Sequence, residues 1–111
     1  MKLTVQPYSY GKFRFGLSVE DSYKYFKKRF IEVILLVKGK QYRTHTTCGN
    51  INKRKKAFDL CSTEISALII NKKWNKYDKG NPTKLLFEIN NTKSPIQLLF
   101  KQKLTKTKID K

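Results

Sequence analysis

FIEVILLVKGKQYRTHTT, residues Phe30–Thr47, decides the fold. Its first half holds the longest apolar run of the chain, Val33-Ile34-Leu35-Leu36-Val37. Lys38-Gly39-Lys40 follows, then the alternating arm Tyr42-Arg43-Thr44-His45-Thr46-Thr47. A short β-branched and Leu-rich run bounded by Gly is too brief for a helix and has no helical stripe. It reads as a strand buried on both faces, with the Thr- and Tyr-rich arm as its hairpin partner. This hairpin is expected at the centre of a sheet, and the most basic loop of the protein leaves from its end.

On the N-terminal side, Leu3 and Val5 alternate with polar neighbours. Tyr8-Ser9-Tyr10 and Phe13-Arg14-Phe15 flank Gly11-Lys12. That pattern predicts a first hairpin carrying rings on one face. The plainer use of such rings is to cover a small core. The functional use is a stacking platform for unpaired bases, with Lys12 and Arg14 on the phosphates. Residues 20–29 suit a short helix capped by Ser18 or Asp21, with Tyr23, Phe26 and Phe30 on one face and Lys24, Lys27 and Lys28 outward. A strand running into Phe30 is the alternative.

On the C-terminal side, Cys48-Gly49-Asn50-Ile51-Asn52 leads into four successive cations, Lys53-Arg54-Lys55-Lys56, which no buried face can hold. Ala57–Leu60 is a short strand or lead-in. Thr63–Trp74 is the clearest helix, with Glu64 near its start and Lys72-Lys73 near its end; Ile65, Leu68, Ile69 and Lys72 share one face, with Ile70 and Trp74 beside it. Turn residues fill 75–82, and Thr83–Asn90 with Pro95–Lys101 make a second hairpin. The fold expected is α+β: one domain over residues 1–101, with a mixed or antiparallel sheet of about five to seven strands, open or rolled into a partly open barrel, and helices packed on it. Residues 102–111 read as a frayed basic tail.

Charge is the strongest functional signal. The 111 residues carry 25 Lys and Arg against 8 Asp and Glu, a formal net charge of +17. Aromatic residues reach 13%, enough large rings to build a core, so the excess belongs to a folded protein rather than to a disordered tail. Such a field attracts polyanions, nucleic acid first among them. Only four of the cations are Arg, which favours point-charge contacts to phosphate over bidentate reading of bases. The expected function is therefore a noncatalytic RNA- or DNA-binding protein. Arg43, His45, Lys53, Arg54, Lys55 and Lys56 form its main phosphate surface. Lys27, Lys28 and Arg29 form a second patch, and Lys12 and Arg14 a third.

Two other functions use the same residues differently. In a metal-independent, toxin-like ribonuclease, His45 would move the proton beside Arg43 and Lys40, with Tyr42, Glu32 or Glu88 as its partner. In an inhibitor or assembly factor, the basic face would dock on an acidic protein. Metal and cofactor chemistry find little support. His45, Cys48 and Cys61 are one ligand short of a closed zinc set, which a carboxylate such as Asp59 would have to complete; the eight acids are scattered, and no phosphate-binding glycine loop occurs. The two cysteines are expected as free thiols, paired to one another only in an oxidising setting. No signal peptide or membrane-spanning run is recognisable, so an intracellular protein is expected.

Overall fold

The protein is described by a computed structural model covering residues 1–27, 30–48 and 57–104. Among the described residues, seven strands form one sheet: β1 (Lys2–Ser9), β2 (Lys12–Gly16), β3 (Glu32–Val37), β4 (Lys40–Cys48), β5 (Phe58–Leu60), β6 (Lys84–Asn90) and β7 (Ile96–Lys103). The sheet is mixed and closes fully into a barrel in the order β1-β2-β5-β4-β3-β7-β6, with β6 returning to β1. Every neighbouring pair is antiparallel except β3 and β7.

The β3–β4 hairpin forms as its sequence dictates. Lys38 (φ 49°) and Gly39 (φ 83°) make a two-residue turn with both φ values positive, the twist that suits a tight hairpin. Register runs from Val37 opposite Lys40 to Glu32 opposite His45. Val33, Leu35 and Val37 are buried in the core, and Ile34, which alternates with them, is only 6% exposed. A closed barrel has no central strand, so this hairpin is one wall, with β3 between β4 and β7.

Strand directions put the Tyr10–Gly11 and Lys38–Gly39 turns at one end of the barrel, together with helix α2 (Thr63–Asn71) and residues 72–83. The reason is the shortness of β5, three residues between the five of β2 and the nine of β4. Past Leu60, strands β2 and β4 have no sheet neighbour on that side, and α2 takes its place. The Phe13 N–H donates to Ser66 Oγ (3.1 Å) and the Arg43 N–H to Glu64 Oε1 (3.0 Å). Ser62 Oγ accepts from the Ile65 N–H (3.2 Å) as N-cap and donates to the Arg43 carbonyl (2.8 Å). Ile65, Leu68 and Ile69 plug that end of the core.

The helix stops three residues before the expected Trp74. The Trp74 N–H returns to the Ile69 carbonyl (2.9 Å) and the Lys73 N–H to the Ile70 carbonyl (3.0 Å), with Lys73 left-handed at φ 60°. This doubly bonded helix end turns the Trp74 ring inward against Phe15 and Phe100, centroids 6.3 and 5.4 Å away. Ile70, expected to pack beside the stripe, is instead 45% exposed.

The opposite end is closed by residues 17–26. Ser18 caps α1 (Val19–Asp21), which passes into a wide turn, Ser22–Phe26, ended by Lys27 at φ 68°. The helix expected over 20–29 therefore ends by residue 27; residues 28 and 29 lie outside the described residues. Phe26 reaches the core, but Phe30 does not share its face. Ser22 Oγ accepts from the Phe58 N–H (2.8 Å), fixing this segment to β5. Strand β7 runs to Lys103, and the Leu104 N–H bonds the Lys84 carbonyl (2.8 Å), so Gln102 and Lys103 belong to the barrel rather than to a tail. No helix among the described residues is long and apolar enough to cross a membrane.

Candidate nucleic-acid interface

The first hairpin divides its rings between two faces instead of gathering them on one. Phe13 pairs with Pro7 and Phe15 with Val5, and both rings pack into or against the core. An irregularity between Pro7 and Ser9 leaves Tyr8 without a strand partner. Tyr8 is 53% exposed, and Tyr10, at the turn, is fully exposed. Lys12 is exposed beside them.

Arg14 is held by its neighbours. Its Nε donates to Gln6 Oε1 (3.3 Å), its guanidinium lies 5.3 Å from the centre of the Tyr8 ring, and Nη1 stands 3.3 Å from Asp59 Oδ2. Asp59 opposes Gly16 in register and is 3% exposed. Oδ2 makes the ion contact but accepts no aligned hydrogen bond. Burial accordingly pushes the Asp59 carboxyl above the usual range, against the opposing pull of Arg14. Gly16 permits this packing, because a Cβ there would come within 2.7 Å of Gln6 Cδ.

Arg43 and His45 do share an outer face of β4. Arg43 Nη1 pairs with Glu32 Oε2 at 3.1 Å, and both side chains are well exposed. The His45 ring stacks on Phe30, centroids 6.0 Å apart and planes 28° from parallel. Phe30 sits at φ 65°, an unusual backbone for a bulky residue, and is 69% exposed. Of the three acid–base partners considered for His45, only Glu32 stands beside it, directly opposite in register. Tyr42 packs against the core, and Glu88 lies on β6, three strands from β4 and paired with Lys101 (3.0 Å). Lys40 begins β4 at the α2 end, five residues from His45.

Lys53, Arg54, Lys55, Lys56, Lys28 and Arg29 lie outside the described residues, and Lys27 is exposed where the wide turn ends. Cys61 is a free thiol. No three His, Cys, Asp or Glu side chains among the described residues form a metal-sized group.

Topology gathers cations that the sequence disperses. Lys12, Lys38, Lys40, Lys72, Lys73 and Lys76 come from the β1–β2 turn, the β3–β4 turn and the segment after α2, all at the α2 end. None has a carboxylate partner among the described residues. The acids described at that end are Glu64, whose Oε1 accepts from Arg43, and Asp78. No run of charge marked these lysines in the sequence; the alternation of hairpin turns around a closed barrel was the signal available. Compared with known proteins, the chain matches no family model, no curated protein and no solved structure.

Proposed function

We propose that this protein binds nucleic acid without cleaving it, through lysine–phosphate contacts across the α2 end of the barrel. The observation that carries this is the convergence of six lysines from separate segments, none paired with a carboxylate among the described residues, beside the exposed rings of Tyr8 and Tyr10. Unpaired ammonium groups release counterions from a phosphate chain, whereas cations already neutralised by carboxylates release fewer. Arg14 and Arg43 are so engaged, with Asp59 and Glu32, and are secondary contacts. The exposed Phe30–His45 stack adds a ring on the outer face of β4, and the basic sequences 27–29 and 53–56 add to the positive charge of the chain.

Exposed rings beside lysines favour single strands, whose unstacked bases present a free π-face. Titrating fluorescent single- and double-stranded RNA and DNA at several salt concentrations tests the proposal. Log K should fall linearly with log salt, with a slope of roughly −0.7 for each phosphate contacted on a single strand. Binding that ignores salt, or no binding at physiological ionic strength, would defeat it and direct attention to an acidic protein partner. Intact RNA after incubation is expected; cleaved RNA would make the exposed His45 with Glu32 a catalytic pair.

A further inference from the structure

Between the tip of the β1–β2 hairpin and α2 lies a groove of about 570 Å³. That is within the range of small-ligand pockets, roughly 300–1,000 Å³. Tyr8, Tyr10 and Lys12 form one wall, and Thr63, Ala67 and Ile70, at helical spacing along α2, form the other. Small residues at 63 and 67 hold the helix surface back from the hairpin, and the 45% exposure of Ile70 leaves an apolar surface open in the groove. Tyr8 and Tyr10 also line a shallow, open surface with Pro7 and Ser9.

We infer that this groove receives an unpaired base of a single-stranded nucleic acid, stacked on Tyr10 and against Ile70, with Lys12 on the adjoining phosphate. The inference rests on the proposed function and names where it reads single strands. Charge complementarity selects the occupant. The groove opens within the lysine-rich end of a +17 chain, and Lys12 stands in its wall. An apolar peptide would gain from the floor but nothing from that field. A flat base with a flanking phosphate uses both.

The test combines two variants with a reporter already in the wall, the free thiol of Cys61. Tyr10 is fully exposed at a turn, so Tyr10→Ala should leave the fold intact. It should weaken binding of single-stranded oligonucleotides between about 5- and 100-fold, with an unchanged salt slope and little effect on duplex. Tyr10→Phe should bind like the parent. Bound oligonucleotide should slow alkylation of Cys61, followed by mass spectrometry of its peptide. If Tyr10→Ala binds like the parent, while the parent remains tight and salt-sensitive, the groove assignment fails and the lysine interface stands. Weakening without protection of Cys61 places the base elsewhere and overturns the inference. Protection that rises with protein concentration alone assigns the groove to a second copy and overturns it. A parent protein that binds no nucleic acid overturns both.

Discussion

The backbone N–H of Arg43 donates to Glu64 Oε1 at 3.0 Å, so the first turn of α2 substitutes for a strand that β5 is too short to supply. A sheet edge left open there would expose unpaired backbone groups in the barrel wall. Glu64→Ala removes the acceptor and a favourable charge at the helix N-terminus, and should cost about 1 kcal/mol in chemical denaturation. Glu64→Gln keeps an acceptor and should lose less than half of that. Glu64 is also one of the two acids described at the lysine-rich end, so Glu64→Ala should tighten nucleic-acid binding while weakening the fold. Equal losses of stability for the two variants would show that the hydrogen bond is not what matters.

Cations at the α2 end and cations already paired should differ in the slope of a salt titration rather than in affinity alone. Lys38 lies in the exposed β3–β4 turn and Lys40 directly follows it, so Lys38→Ala and Lys40→Ala should scarcely affect stability. Each should reduce the magnitude of the salt slope by roughly 0.7 if its ammonium meets one phosphate of a single strand. Arg43→Ala, which releases Glu32 as well, should change the slope less than either. A larger effect from Arg43 than from both lysines would move the interface to the outer face of β4, around His45 and Phe30.

Much of the barrel was legible because local signals and final structure agree. The apolar run at 33–37 followed by Lys38-Gly39 fixed both the β3–β4 hairpin and its register, and alternating Phe13 and Phe15 supplied core rings. What could not be read were effects of closure and of helix ends. Periodicity carried α2 on to Trp74 because that residue is buried, but it is buried by a left-handed Lys73 turning the chain, and no Gly announced the turn. Phe30 looked like a helical core residue from its spacing, yet a positive φ places its ring outside against His45. The candidate site was half legible. Tyr8, Tyr10 and Lys12 were visible as a ring-bearing hairpin, whereas their approach to Ala67 and Ile70, more than fifty residues away, follows from β5 having only three residues.

Asp59 gives the fold a pH dependence opposite in sign to the usual aspartate. Burial raises its folded value above the ordinary one of about 3.9, and Arg14 only partly opposes that shift. The folded state therefore holds the proton more tightly than the unfolded chain. The stability from this group is fully present below the unfolded value and is lost as pH rises through the folded one. Asp59→Asn removes that loss, so the melting temperature of the variant relative to the parent should rise between pH 3.5 and pH 7. Paired thermal melts across that window cancel the other titrating groups. A difference that stays flat, or falls with pH, would mean that Arg14 rather than burial governs this carboxyl.

Lys73 sets stability against binding at a single position. It closes α2 in the left-handed region at φ 60°, where a side chain costs about 1 kcal/mol and glycine almost nothing, and its N–H still bonds the Ile70 carbonyl. Lys73→Gly should therefore raise the free energy of unfolding by about 1 kcal/mol while preserving the turn that delivers Trp74 to Phe15 and Phe100. The same change deletes one of the lysines without a carboxylate partner among the described residues, and should lower affinity for single strands with a salt slope smaller by roughly 0.7. Lys73→Asn, which tolerates the left-handed conformation but carries no charge, separates the two effects: it should recover part of the stability and none of the affinity. If Lys73→Gly is more stable and binds unchanged, the lysine serves only the helix end, and the phosphate path runs through Lys12, Lys38 and Lys40 instead.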